Sequence, residues 1–130
     1  LISDLRDWML DNNADYTNTF RSLSQLEKPN SELYKGEKFQ NWYRRWQNRL
    51  RKNSESIESS IDLMKSRNPA VIPRNHKVEE ALEAANIGNL KPFEDLVSIL
   101  KEPYTERATL KAYKNPLKPG VADYKTFCGT

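Results

Sequence analysis

Apolar residues return along this chain at the period of an α-helix. Leu5, Trp8 and Met9, then Tyr16, Phe20 and Leu23, recur at three- and four-residue steps, and the polar Asp11-Asn12-Asn13 between the two sets supplies a turn. The pattern predicts an α-hairpin. Lys28-Pro29-Asn30-Ser31 breaks its second helix. The strongest signal follows: Phe39, Trp42, Tyr43, Trp46 and Leu50 share one face of a single long helix. Asn53-Ser54 either interrupts that helix or only weakens it, before Ile57, Ile61 and Met64 carry an apolar stripe up to Asn68-Pro69.

Beyond a loop bounded by Pro69 and Pro73, Asn75 is placed to cap a helix bearing Val78, Ala81, Leu82 and Ala85, which Gly88 ends in a left-handed conformation. Pro92 suits the first turn of another helix, whose apolar face is Phe93, Leu96, Val97 and Leu100 and whose end is Pro103. From Tyr104 onward the period fades. Asn115-Pro116 and Lys118-Pro119-Gly120 predict an extended tail draped over the helices or over a neighbouring domain. No repeat, alternating strand pattern or low-complexity tract is present. The predicted fold is all-α: an irregular bundle of about five to six helices with an extended C-terminal tail. Residues 1–67 form the hairpin and the long aromatic helix, 68–112 the helix pair, and 113–130 the tail.

Composition narrows the class. The 130 residues make one ordinary domain or part of one, with room for a modest core. Three Trp, four Phe and six Tyr in a chain with 30% charged residues are too many rings for a disordered segment. The longest apolar runs fall far short of the roughly 20 residues that span a bilayer, and Leu1-Ile2-Ser3-Asp4 is no signal peptide. Membrane insertion and secretion are therefore not expected. A start at Leu1 rather than Met suits an excised or processed fragment. A single cysteine forms no internal disulfide, so a reducing compartment is acceptable. The net charge of +3 permits weak attraction to nucleic acid or anionic lipid without pointing to either.

Candidate chemistry is sparse. Arg44, Arg45, Arg49, Arg51 and Lys52 interleave with Trp42, Tyr43 and Trp46 as in a nucleic-acid surface. Helical geometry separates them: the rings fall on one side and the cations on the others, whereas a stacking surface needs both together. No nucleic-acid partner is expected, and the basic flank stands instead as a docking face for an acidic protein. His76 has no His or Cys companion nearer than Cys128, so no metal site is expected. It reads as a loop or helix-start histidine beside Asn75. Arg74, held between Pro73 and Asn75, can pair with a carboxylate or a phosphate, and its plainer role is to pin the loop. Arg74, Asn75 and His76 together form the candidate loop or interface site. Glu79, Glu80 and Glu83, with Glu94 and Asp95, are expected on the solvent faces of early helical turns rather than in a catalytic pair. Gly36, Gly88, Gly120 and Gly129 are dispersed and make no phosphate-cradling loop. Cys128, third from the end, is either a redox-active thiol or an ordinary exposed one, and the residues alone leave both readings open.

Certain segments, in order, narrow the reading further. Asp15-Tyr16-Thr17-Asn18-Thr19-Phe20-Arg21, Asn68-Pro69 followed by Pro73-Arg74-Asn75-His76 and a Val-Glu-Glu-Ala-Leu helix, Pro103-Tyr104, and Cys128-Gly129-Thr130 closely resemble the C-terminal part of the selenoprotein O family. Members of that family look like atypical protein kinases that bind ATP in an inverted sense with divalent metal and transfer AMP to protein hydroxyls. The resemblance implies that their catalytic Lys, Glu, Asp and Asn lie upstream, because this chain has no room for a kinase-like unit. It then implies that no catalytic residue, metal or cofactor site belongs to these 130 residues, with ATP and Mg or Mn serving the parent. Its partners would be the upstream kinase-like region and the parent's protein substrates. Its location would be the cytoplasm in a bacterium or the mitochondrion in a eukaryote. Cys128 matches the near-terminal selenocysteine or cysteine of family members, which favours its redox reading. The competing expectation is a stand-alone helical protein-interaction module with the Arg44 to Lys52 flank as its docking face.

Overall fold

A computed structural model describes residues 1–25, 32–53 and 56–117, and they are all-α. Among them lie seven α-helices: α1 (Ile2–Asp11), α2 (Tyr16–Leu23), α3 (Glu37–Arg51), α4 (Ile57–Arg67), α5 (Asn75–Asn86), α6 (Lys91–Leu100) and the single turn α7 (Lys111–Lys114). Two 3-10 turns, Glu32–Lys35 and Ala108–Leu110, precede α3 and α7. No strand occurs among the described residues. The chain divides into two compact units, Leu1–Pro69 and Ala70–Thr130.

In the first unit the turn after α1 forms where expected: Asn13 takes φ 48°, a conformation Asn tolerates better than most residues. Asp15 then caps α2, its carboxylate accepting from the Asn18 amide at 2.8 Å. The long aromatic helix is α3. Phe39, only 1% exposed, sits at the middle of the core with its ring 4.6 Å from Trp8, 5.0 Å from Tyr34 and 5.7 Å from Trp42. Ring pairs at these separations each add about 0.5–1.5 kcal/mol beyond the area they bury. Tyr34 belongs to no periodic stretch, yet the 3-10 turn drops it into this cluster, where its hydroxyl meets that of Thr19 at 3.3 Å. The break at Asn53 is an interruption: α3 ends at Arg51 and α4 starts at Ile57, where the Ser56 hydroxyl accepts from the Ser59 amide. Of the α4 stripe, Ile61 is buried, Met64 is half-buried and Ile57 is exposed. The Lys28 to Ser31 break and Ser54 lie outside the described residues.

In the second unit α5 and α6 pack on each other, and the end of α5 follows the predicted chemistry. Gly88 has φ 87°, its amide bonds the Ala85 carbonyl at 2.9 Å, and the Asn89 amide reaches back to Ala84 at 2.9 Å. That is a Schellman closure, which needs a left-handed residue at Gly88. Pro92 lies in the first turn of α6, where its missing N–H costs nothing.

Three expectations need correction here. Asn75 is the first residue of α5 and not its cap; Arg74 holds the cap position with no side-chain cap bond. The buried face of α6 is Leu96 and Ile99, while Phe93 is 46% exposed, as Leu82 of α5 is at 47%. Those helices lie in a unit with a small core of Ala70, Val71, Ile99 and Leu110, which covers a narrower stripe than the apolar pattern offers. Third, short helical turns form at Ala108–Leu110 and Lys111–Lys114, while the predicted tail from Lys118 lies outside the described residues. Leu110 is fully buried and Tyr113 packs against the same small core, in a stretch too short for any period to show.

Candidate functional site

The three residues singled out in the loop do come together. Ile72, Pro73, Arg74, Asn75 and His76 line one side of an open hollow of about 320 Å³, with Pro116 and Leu117 on the other. Arg74 is anchored rather than free: its Nε and Nη2 both donate to the Lys114 carbonyl, at 3.1 and 2.7 Å. The planar guanidinium thereby caps the C-terminal carbonyl of α7 and ties it to the start of α5. The Arg74 carbonyl in turn accepts from the amides of Lys77 and Val78, the first bonds of α5. Lys114 also pairs through its ammonium with Glu106. His76 is half-buried at the lip of the hollow.

The acids do not form a site. Glu79, Glu80 and Glu83 are exposed, and because α5 starts at Asn75 none falls in its first turn. Glu80 pairs with Lys77 at 2.6 Å, and Asp95 pairs with Lys91, whose own pKa is raised by that hydrogen bond. Among the described residues no three His, Cys, Asp or Glu side chains gather where they could hold a metal ion. No helix among them is long and apolar enough to cross a membrane. Cys128 lies outside the described residues.

On α3 the rings and the cations separate as the helical geometry requires. Phe39, Trp42 and Tyr43 are buried, while Arg44, Arg45, Arg49 and Arg51 are exposed. Burial also raises the Tyr43 phenol above its ordinary range. Each arginine has a partner in the same unit: Arg45 bonds Asp4 at 2.6 Å, Arg49 bonds Asn53 at 2.7 Å, Arg51 bonds Asn48 at 3.3 Å and Arg44 bonds Asn41. The Arg45 hydrogen bond holds the Asp4 carboxyl below the usual range. Lys38 and Asp11 make a second ion pair between α1 and α3 at 2.6 Å, and that contact raises the Lys38 pKa.

The most deliberate polar arrangement was not visible in the pattern. Arg21 is 7% exposed, and its Nη1 donates to the carbonyls of Lys65 at 3.1 Å and Asn68 at 2.9 Å. Asn68 returns the contact through its amide, which donates to the Ser24 hydroxyl at 2.9 Å, and that hydroxyl donates to the Phe20 carbonyl at 3.0 Å. A charged side chain on α2 thus closes the C-terminal end of α4. In the second unit the amides of Ala70 and Val71 both donate to the Pro103 carbonyl, at 2.7 and 3.3 Å. Arg21, Asn68 and Pro103 all lie in segments that carried the family resemblance. The only local signal was Asn68-Pro69, which marks a helix end but not what satisfies it.

Comparison with known proteins gives the same family. The profile described as protein adenylyltransferase SelO matches residues 1–101. The chain belongs to the SelO family. Across its whole length it is 49% identical to the protein nucleotidyltransferase YdiU of Alcanivorax borkumensis and 45% identical to that of Bacillus cereus. It spans 27% of the length of each of these SelO relatives. The profile match ends before α7 and Cys128, whereas the alignments to the two relatives run over the full chain.

Proposed function

We propose that this chain is the accessory C-terminal helical region of a protein adenylyltransferase, an enzyme that transfers AMP from ATP to Ser, Thr or Tyr hydroxyls of proteins and releases pyrophosphate. The observation that carries the reading is the full-length identity of 49% to a relative named as a protein nucleotidyltransferase, of which this chain spans 27%. Among the described residues there is no Gly-rich phosphate loop and no gathering of three His, Cys, Asp or Glu side chains. ATP and Mg or Mn belong, on this reading, to the remaining part of the parent chain, and no chemical step is assigned to residues here. The 130-residue segment by itself is expected to be inactive. Its contribution is mechanical: it packs on the kinase-like region and steadies it or positions substrate. Cys128 adds redox control by pairing reversibly with a cysteine of the catalytic region. The location that goes with this reading is the bacterial cytoplasm, or the mitochondrion in a eukaryote.

The test is transfer of label from ATP to protein by the full-length parent with magnesium or manganese, comparing α-phosphate with γ-phosphate label and running the segment alongside. Incorporation from the α-position alone supports adenylylation. Incorporation from the γ-position means an ordinary kinase. No incorporation from either, with several substrates tried, favours an interaction module. For the tail thiol, a Cys128→Ser parent with unchanged response to oxidant removes the redox assignment.

A further inference from the structure

The first unit contains an apolar groove of about 390 Å³ walled by all four of its helices, with Trp42, Trp46, Phe20 and Met64 among the lining side chains. Its edges carry apolar residues that no described residue of the unit covers: Ile2 is 74% exposed and Leu63 55%. Contiguous apolar surface of this kind, with a concave floor, marks a place where something binds. Arg67 and Asn68 are the charged and polar residues of its lining. Asn68 is committed, its carbonyl to Arg21 and its amide to Ser24, which leaves Arg67 as the groove's cation.

We propose that this groove seats the stretch of polypeptide joined to Leu1 in a chain of the relatives' length, with apolar side chains in the groove and a carboxylate beside Arg67. The inference rests on the reading above, that these residues are part of a longer SelO chain. A small-molecule site needs several polar groups converging on its ligand, and this groove's lining is apolar but for Arg67 and Asn68. Apolar side chains of a peptide need only such a surface. Leu1 itself lines the groove, and its carbonyl is fixed by the Trp42 indole N–H at 2.7 Å. A residue bonded to the Leu1 nitrogen therefore begins at the groove's edge. Closing such a short connection costs little chain entropy, and the effective concentration of the tethered segment is high. The aligned stretch is 27% of the relatives' length, and the proposed reading places the remainder before Leu1.

The experiment places a photo-crosslinking phenylalanine analogue at Leu63, and separately at Ile2, in the full-length chain, and maps the products by mass spectrometry. Crosslinks within one molecule to the roughly thirty residues preceding Leu1, from both positions, are expected. Crosslinks only to more distant regions, only to a second molecule, or none from either position overturn the proposal, as does a gene-encoded chain that starts at Leu1. Transfer of the α-phosphate label, assayed on the same two proteins, keeps the two readings separable. Transfer without the local crosslink removes the groove assignment alone, and the local crosslink without transfer removes the enzymatic reading alone.

Discussion

Replacing Arg21 with Met tests whether the polar joint between α2 and the end of α4 holds the first unit together. The guanidinium is 7% exposed and makes two bonds to carbonyl oxygens. Hydrogen bonds from a charged donor are worth about 1.5–3 kcal/mol each, and carbonyls left without partners in a buried place add to the loss. Against this, Met keeps the apolar stem and relieves the desolvation of a buried charge, which returns part of the cost. The balance is a destabilisation of about 3 kcal/mol. With a urea m-value of about 1.5 kcal/mol/M, the unfolding midpoint should fall by roughly 2 M. Trp8, Trp42 and Trp46 are the chain's only tryptophans and all lie in this unit, so fluorescence reports its unfolding without a contribution from the second. Arg21→Lys should sit between wild type and Met, because an ammonium keeps the charge and the donors but ends one bond short of the Nη1 that reaches both carbonyls. A Met variant within about 0.3 M of wild type, or a Lys variant indistinguishable from it, would refute the assignment of the joint to this side chain.

Other substitutions test other parts of the fold. Leu110→Ala, at a fully buried position of the small second core, should cost about 2–5 kcal/mol, read as faster hydrogen exchange at the Ala70 and Val71 amides that bond Pro103. Gly88→Ala meets no atom within 4 Å but must hold φ 87°, so it should lose about 1 kcal/mol of helical-hairpin stability in thermal unfolding; an unchanged midpoint would argue against the left-handed closure. Arg45→Gln should raise the titration midpoint of the Asp4 carboxyl, followed by NMR, toward its ordinary value. Because the folded pKa is depressed, the contact contributes above the unfolded carboxyl's pKa of about 3.9 and is lost as pH falls through the folded value. Absorbance titration of the tyrosines should show Tyr43 ionising above the ordinary phenol range, with its stabilising share lost as pH rises through that raised pKa.

What could be read from the residues was what depends on neighbours in sequence. The face of α3, the end of α5 at Gly88 and the start of α6 at Pro92 each follow from chemistry within a few positions. Tyr34 was missed because a single 3-10 turn has no period, and its burial is decided by Trp8 and Phe39 from two other elements. The sequence pattern offers Phe93 where the structure buries Ile99, because two overlapping stripes of α6 are both apolar and the small core of Ala70, Val71 and Leu110 selects between them. Arg21 was legible as part of a family segment but not as the cap of α4, since its acceptors lie more than forty residues away. The loop residues Arg74, Asn75 and His76 all line one hollow, and Arg74 holds a backbone carbonyl of α7, a helix that no local pattern announces.

These joints bear on how the family relationship should be understood. The Asp15 to Leu23 segment meets Asn68 through Arg21 and Ser24, and, in the second unit, the stretch from Ala70 meets Pro103. A buried guanidinium facing two carbonyls accepts few substitutes, because a shorter or apolar side chain leaves polar groups without partners. A proline carbonyl serving two amides likewise requires the chain to turn at one place. Segments with such demands are easy to recognise in sequence whether or not they touch a reacting group, so the likeness they carry speaks first to architecture. This chain spans 27% of the length of the relatives for which a nucleotidyltransferase activity is named. On the proposed reading, the first unit, knit by Arg21, meets the preceding polypeptide along the Ile2 and Leu63 groove. A destabilised joint should then lower activity of the full-length enzyme through loss of that support, with the loss rescued by lower temperature, whereas loss of a catalytic group would persist at every temperature.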